Sequence, residues 1–360
     1  MSQLYVASSI ALWDSQQANA AFMDASEKVM LAGSSTAGGK TSATAIQFNG
    51  KVLWANQYPG NFTTLFTGMT QLTDGTYIAV GGIFTSGSSG DENIWVVNID
   101  ANGKKIWEQQ FNTPGAQSSG SSVTATADGG FVVVGWVVQA SGLSTRIIRF
   151  AGNRQVKWDI TQPKIACFSI APASGGNFIL SGRIPAQGLN SNPVALLIDG
   201  NGKVLFNTTF SAFSLYVLAN TSAIQTADGN FVMVAKTTIF KFDKTGKVLW
   251  SNATANGSFA SIAELSTGNL AIGGSIVVGN TGAAYVVVTD NGGNNIIWDN
   301  TEVTIPSNFA QVFIDKGYDV VWTAGSAPIN LENAQIIFAA FNPARTLVAG
   351  KAMELSANYK

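Results

Sequence analysis

Short apolar runs that follow tight turns recur along the whole chain. Each copy has a turn rich in Asp, Ser, Asn and Gly, a continuous apolar stretch, and a closing glycine or small residue. Clear copies lie at 73–82 (TDGTYIAVGG), 127–135 (ADGGFVVVG), 174–182, 227–235 and 266–274, and weaker copies at 26–33 and 316–325. Continuous rather than alternating apolar residues predict strands that are covered on both faces. The motif therefore indicates inner strands of sheets that pack against one another.

A second motif alternates with the first and consists of a strand, an Asx-Gly turn and a strand that carries an aromatic residue. Copies end at Trp54, Trp107, Trp158, Phe206, Trp250 and Trp298, a degenerate copy (FNPARTLV) ends at Val348, and Trp13 adds a copy before the first unit. Asx-Gly turns supply the positive φ angles that close hairpins. The units repeat about every 48 residues, a length typical of a four-stranded propeller blade.

The two motifs together predict an all-β fold: a single seven-bladed β-propeller of four-stranded antiparallel blades over residues 1–360. The units fall at about 17–58, 59–111, 112–160, 161–210, 211–254, 255–300 and 301–352. A strand at about 3–14 is expected to close the ring by pairing in the last blade, although 346–351 offers that blade another strand. The tryptophans are expected to fill the gaps between adjacent blades. The alternative is a ring of tryptophans that stack on sugars or a cofactor.

The units resemble a family of bacterial and archaeal proteins with repeated Q-T-x-D-G-G-Y-I-V-x-G and D-x-W-L-I-K-x-D-x-x-G-N-x-x-W segments. Matching stretches include 225–231 (QTADGNF), 91–95 (DENIW) and 100–107, and the resemblance covers nearly the whole chain, with poor matches in the first and last units. It implies a propeller, common in exported or surface-associated proteins, and no defined activity. The turn at 243–250 (DKTGKVLW) is also similar to quinoprotein-type propeller repeats, but it is one residue short. The paired cysteines and calcium carboxylates of quinone-dependent dehydrogenases have no counterpart here.

Composition narrows the classes of function. Charged residues make up 11% of the chain, the net charge is -1, and no basic stripe is present, so we expect no nucleic-acid partner. No apolar stretch approaches the roughly 18 residues of a membrane helix, so we expect no membrane insertion. The chain has no histidine and a single cysteine, Cys167, which leaves no imidazole base and no internal disulfide. Cys167 is expected to be a small buried hydrophobe in a strand. The N-terminal segment precedes the first basic residue, Lys28, and lacks the positive region of a secretory signal.

Three motifs suggest chemistry, but each has a simpler structural interpretation. Residues 33–41 (GSSTAGGKT) are close to a phosphate-binding loop, but Ser34 stands where the motif needs glycine and a strand pattern follows, which predicts a hairpin. The recurring turn aspartates could be calcium ligands, but each turn carries too few carboxylates, so they are expected to cap their own turns. Asp91, Glu92 and Glu332 are the candidates for carboxylate catalysis; the first two are expected at a solvated hairpin tip, poorly placed for glycoside hydrolysis. We therefore expect no catalytic residue, cofactor or metal ligand.

Binding residues are expected in the longest connections, near 86–93, 139–144, 186–192 and 279–282. The candidates are Ser86, Asp91, Glu92, Asn93, Asn190, Asn192 and Glu332. The low charge and the Ser/Thr/Asn-rich surface predict a non-catalytic structural or binding module, extracellular, on a cell surface or in a virion. Its partners are expected to be proteins, copies of itself, or a glycan. The alternatives are a carbohydrate-active or quinone-dependent enzyme and an intracellular interaction scaffold.

Overall fold

The computed structural model describes most of the chain as β-strands. It describes residues 4–10, 12–49, 51–87, 90–185, 190–211, 215–216, 220–253, 258–278, 281–302, 308–315, 320–328 and 334–341. Helical structure in these ranges is limited to one 3-10 turn at Ser174–Gly176. None of the described helical structure is long and apolar enough to cross a membrane.

The described strands pair into seven antiparallel sheets, and each sheet except the last is built from consecutive strands. The first sheet contains β2 (Ser15–Met23), β3 (Val29–Ala37), β4 (Lys40–Phe48) and β5 (Val52–Tyr58), and the second contains β6 (Thr64–Gln71), β7 (Tyr77–Phe84), β8 (Glu92–Ile99) and β9 (Lys105–Phe111). The third contains β10 (Gln117–Ala125), β11 (Phe131–Gln139), β12 (Gly142–Phe150) and β13 (Val156–Pro163). The fourth contains β14 (Ala166–Ala173), β15 (Asn177–Pro185), β16 (Asn190–Ile198), β17 (Val204–Thr209) and the short β18 (Leu215–Tyr216). The fifth contains β19 (Thr221–Gln225), β20 (Phe231–Ala235), β21 (Thr238–Phe242) and β22 (Val248–Ala253), and the sixth contains β23 (Ser258–Glu264), β24 (Leu270–Val278), β25 (Thr281–Thr289) and β26 (Ile296–Glu302). The seventh contains β27 (Asn308–Asp315), β28 (Val320–Pro328), β29 (Ala334–Phe341) and β1 (Leu4–Ile10).

The sheets are arranged as the blades of a β-propeller. The first strand of each blade contacts the first strand of the next, from β2 through β6, β10, β14, β19, β23 and β27, and β27 contacts β2 again. These strands therefore surround a central axis. The continuous apolar runs of the first motif form the second strand of a blade, such as β11, where residues 131–134 are fully buried. Side chains of adjacent blades cover both of its faces, which explains why its apolar residues do not alternate.

The prediction of uniform four-stranded blades holds for six of the seven sheets. The fourth sheet departs from it, because β18 also pairs with β16 through Leu215 and Tyr216. The added strand meets β16 at Asn190 and Ser191, beyond the stretch of β16 that pairs with β17. β17 and β18 therefore lie one after the other along the same side of β16.

The N-terminal strand pairs in the last blade, as predicted. β1 runs antiparallel to β29 and is the outermost strand in the order β27-β28-β29-β1. Trp13, which follows β1, packs against the cluster between the last and first blades that includes Phe48 and Phe313. The competing strand expected at 346–351 lies outside the described residues.

Aromatic residues of the second motif contact the following blade, as Trp54 and Trp158 show. Trp54 donates its indole N–H to the carbonyl of Ala101 at 3.0 Å, and Trp158 donates to Gly200 at 3.1 Å. In both cases the acceptor belongs to the last turn of the following blade. The turn glycines have positive φ, and at Gly103 an added Cβ would lie 2.6 Å from the Trp54 ring. These turn–aromatic contacts confirm that the tryptophans fill the gaps between blades.

The turn aspartates cap their own turns, as predicted. Asp100 Oδ1 accepts the backbone N–H groups of Asn102 at 2.9 Å and Lys104 at 2.8 Å. The described residues include no group of three or more His, Cys, Asp or Glu side chains that could hold a metal ion. The turns therefore use their carboxylates to satisfy backbone donors.

Ion pairs tie some turn aspartates to the strands behind them. Arg149 Nη2 lies 2.8 Å from Asp128 Oδ1, and Lys157 Nζ lies 2.8 Å from Asp128 Oδ2. The hydrogen bond from Lys157 is the largest influence on the Asp128 carboxyl and holds its pKa well below the usual range. In the fifth blade, the nearly buried Lys241 lies 2.6 Å from Asp228 and also donates to Asn291 of the sixth blade.

Candidate binding face

The strands that flank the connections predicted to bind a partner have their adjoining ends on one side of the propeller. In an antiparallel four-stranded blade, the turn between the second and third strands and the link to the next blade lie at the same end. We call this side the loop face, and the opposite side, with the capped Asp turns, the turn face. The candidate connections 86–93, 139–144, 186–192 and 279–282 are flanked by the second and third strands of their blades, and residues 88–89, 186–189 and 279–280 of these connections lie outside the described residues. The described ends of the four connections therefore lie on the loop face.

Four predicted binding residues lie in or beside one hairpin of the loop face, between β7 and β8. Ser86 and the exposed Asp91 are in its turn, whereas Glu92 and Asn93 begin β8. Asn190 and Asn192 begin β16, in the fourth blade, and are separated from this hairpin by the third blade. Glu332 lies outside the described residues.

Hydrogen bonds join the two sides of this hairpin next to its turn. Ser86 Oγ hydrogen-bonds the Asp91 carboxylate. Thr85 donates its backbone N–H to the Asp91 carbonyl at 3.1 Å and its hydroxyl to the same oxygen at 3.2 Å. These bonds connect the two sides of the hairpin at residues 85, 86 and 91 and brace it there.

Two clefts flank this hairpin. The cleft toward the third blade has a volume of about 410 Å³ and is lined by Thr85, Gly90, Asp91, Asn93, Asn112, Pro114, Gly115, Ala116 and Gln117. The cleft toward the first blade has a volume of about 480 Å³ and is lined by Gly39, Lys40, Thr41, Asn61, Phe62, Thr63, Phe84, Ser86 and Gly87. Asp91 thus lines the cleft on one side of the hairpin, and Ser86 lines the cleft on the other side. The clefts offer amide, hydroxyl and carboxylate groups and the Lys40 ammonium, together with the exposed ring of Phe62 and the partly exposed ring of Phe84.

Glu92 does not lie at a solvated tip, and this prediction was wrong. Its side chain is only 5% exposed and enters the gap between the second and third blades. The carboxylate accepts a hydrogen bond from Gln117 Nε2 at 3.2 Å and is also hydrogen-bonded by Ser119. Gly82 provides the space, since a Cβ there would lie 2.0 Å from Glu92 Oε1. Burial raises the pKa of Glu92 above its ordinary value. Glu92 is therefore a contact between blades, and its place as the first residue of a buried strand explains this.

Phe62 is the main residue of this face that the sequence analysis missed. It lies in the link between the first and second blades, and 41% of its side chain is exposed. Its ring lies beside Gly87 of the hairpin. In the same link, Gly60 accepts a hydrogen bond from Lys40 Nζ at 2.8 Å, which fixes the wall opposite the hairpin. The sequence did contain a signal for it, because Phe62 is an aromatic residue in a polar link that belongs to neither repeat motif.

The hairpin prediction for 33–41 is confirmed. β3 and β4 are joined by a turn at Gly38 and Gly39, both with positive φ, and Ala37 pairs with Lys40. The amide groups of a helix N-terminus, which a phosphate site requires, are replaced here by two paired strands. Cys167 is fully buried in β14, and burial raises the pKa of its thiol to about 12.

A third cavity occupies the centre of the ring. It has a volume of about 440 Å³ and is lined by the innermost strands, with small and polar residues such as Thr67, Gly68, Ser121 and Ser122. Neighbouring strands are cross-linked there, as Thr67 Oγ1 donates to the carbonyl of Gly120 at 2.8 Å. Bulges interrupt most innermost strands at matching places, for example between Phe66 and Gly68. This bond joins the second and third blades at the cavity, whereas the Ser121 hydroxyl is buried there without a hydrogen-bond partner among the described residues.

Comparison with known proteins identifies similar folds and no family. No family model and no curated protein matches the chain. Among solved structures, Sqt1 from Chaetomium thermophilum is 12% identical with a TM-score of 0.56, over 91% of this chain and 85% of that one. Sqt1 bound to the N-terminus of the ribosomal protein L10 gives a TM-score of 0.55 at 12% identity, over 89% and 86% of the two chains. The extracellular domain of a candidate one-component system from B. thetaiotaomicron is 14% identical with a TM-score of 0.56, over 94% of this chain and 40% of that one. These likenesses support the propeller fold.

Proposed function

We propose that this propeller is a non-catalytic binding module of a cell surface or virion that recognises a glycan with its loop face. The observation that supports it best is the pair of clefts on either side of the braced β7–β8 hairpin. Each cleft has the size of a small-ligand pocket. The bacterial and archaeal repeat family that the units resemble agrees with a surface location.

The chemistry of the clefts favours a polyhydroxylated ligand. Phe62 presents an exposed apolar ring, and the neighbouring Asn61, Thr63 and Ser86 carry groups that donate and accept hydrogen bonds. A sugar ring has an apolar C–H face and a hydroxyl edge, which match these two kinds of group. In the cleft on the other side of the hairpin, the Asp91 carboxylate can accept hydrogen bonds from sugar hydroxyls.

A protein partner is the second candidate. The solved complex of Sqt1 with the N-terminus of L10 supports it, because a propeller of similar fold there holds a polypeptide. An extended peptide could lie over the hairpin and use both clefts. In either case, the absence of histidine from the chain disfavours acid–base catalysis at this face.

The test is a glycan array probed with the labelled chain and with two single variants. We expect Phe62→Ala to weaken the best glycan signals at least about fivefold, because loss of an exposed aromatic contact removes about 1 kcal/mol or more. Leu53→Ala, a matched truncation of an exposed residue on the outer rim, should leave binding unchanged. Binding only to peptides would replace the glycan by the second candidate. Turnover of a bound glycan would refute the non-catalytic role.

A further inference from the structure

Aliphatic side chains are exposed at matching positions around the outer rim. The residue that precedes the aromatic of the second motif is exposed in Leu12, Leu53, Ile106, Leu205, Leu249 and Ile297. The third blade has Lys157 at this position. Exposure alternates along the outermost strands, so this residue begins a row of side chains directed away from the turn–aromatic contact.

These rows differ in charge from blade to blade. On β9, Ile106 is followed by Glu108, and on β13 the row contains Lys157 and Asp159. Charges on an edge strand discourage pairing with another chain. On β22 the row is Leu249, Ser251 and Ala253, all three exposed and uncharged.

β22 is an open, uncharged edge whose exposed row beyond Leu249 consists of small side chains. It ends the order β19-β20-β21-β22 and has no described strand on its outer side. On β17, the row is Leu205, Asn207 and Thr209, with larger polar side chains than those of β22. On β5 the row is partly covered, and Gln57 is tied to Ser35 by a 2.8 Å hydrogen bond. An open edge with unpaired N–H and C=O groups is a template for another strand.

We propose that β22 pairs with β22 of a second copy of this chain, forming an antiparallel edge-to-edge dimer. A two-fold axis perpendicular to the sheet keeps both rows on one face and sets Ser251 opposite the partner's Ser251. Leu249 then meets the partner's Ala253, a large residue against a small one. Lys247 lies at the opposite end from the partner's Lys247, so like charges stay apart. The net charge of -1 adds little repulsion between copies. This surface is on the rim and does not depend on the function proposed for the loop face.

The first test is sedimentation velocity over low to high micromolar protein, with Leu249→Lys and the control Ile106→Lys. Lys157 already occupies the matched position on β13, so lysine is compatible with the fold there. We expect the natural chain to dimerise and L249K to raise the dissociation constant at least about tenfold. I106K, on an edge that already carries a charge, should leave it unchanged. A natural chain that stays monomeric, or equal effects of the two variants, would overturn the proposal.

A second measurement needs no variant and therefore does not depend on the folding of L249K. Hydrogen exchange of the natural chain at low and high concentration should show slower exchange at 248–253 when dimers form, since edge amides become paired. The outer strand β9 should show no change. Dimerisation without added protection at 248–253 would place the contact elsewhere and refute the pairing of β22.

Discussion

The turn–aromatic contact between the first and second blades can be tested with a single methyl group. Gly103 has a φ of +84°, and an added Cβ would lie 2.3 Å from Asn56 Nδ2 and 2.6 Å from Trp54 Cε3. Its carbonyl accepts hydrogen bonds from Asn56 at 3.0 Å and from Tyr58 at 2.6 Å. Gly103→Ala therefore strains the backbone and displaces a neighbouring blade at once.

Gly75 separates these two effects, because it lies in the same blade with almost the same backbone angle. Its φ is +82°, and an added Cβ would meet no heavy atom within 4 Å. Gly75→Ala should cost about 1 kcal/mol for the left-handed conformation alone. Gly103→Ala should cost about 3–4 kcal/mol, since overpacking and displaced hydrogen bonds add about 2–3 kcal/mol.

The assay is guanidinium unfolding followed by tryptophan fluorescence, with the natural chain, G75A and G103A measured side by side. The midpoint should fall slightly for G75A and clearly further for G103A. The Trp54 indole should also become more mobile in folded G103A. Equal midpoints for the two variants would show that the Gly103 turn does not need close contact with Trp54, and would refute the argument.

Two predictions concern buried charge and pH. Glu92→Gln should raise the free energy of unfolding near neutral pH. Because burial raises the pKa of Glu92 in the folded chain, the folded state favours the protonated carboxyl, and the stability that this form gives is lost as pH rises. The neutral amide of Gln avoids that loss. The gain should vanish in acid; a loss at neutral pH in denaturant titrations would contradict it. Asp128→Asn should cost about 1 kcal/mol, a value kept low because Asp128 is partly screened by solvent. Since the pKa of Asp128 is lowered in the folded chain, this cost should shrink progressively as pH falls below about 4, where an unfolded Asp titrates, and vanish only below the lowered folded pKa. A cost that does not shrink as pH falls below about 4 would count against the ion pairs.

The repeat made most of the architecture predictable. Apolar runs beside Asx-Gly turns are local signals, and the turns at Asp100 and Asp243 fold as their sequences indicate. The tryptophan contacts could also be inferred, because a large apolar residue at a fixed place in each unit must be covered. Both features follow from residues close together in the chain.

The candidate face was predicted only in part, because it depends on contacts between distant residues. The loop positions of Ser86 and Asp91 follow from local composition. The burial of Glu92 does not, since it requires the space left by Gly82 and donors from the third blade. Phe62 lines a cleft only because the link that carries it runs beside the β7–β8 hairpin. Neither repeat motif predicts that these two segments lie next to each other.

The place of β1 has a consequence for synthesis on the ribosome. β1 leaves the ribosome before the other described strands of the propeller, whereas its partner β29 (Ala334–Phe341) leaves after them. The blades between them can form one after another as the chain lengthens. A nascent chain that stops before β29 still holds an N-terminal strand with no partner, an exposed edge that could bind elsewhere. The ring can therefore be closed only after β29 has been synthesised, and a chaperone that shields residues 4–10 during translation would protect β1 until then.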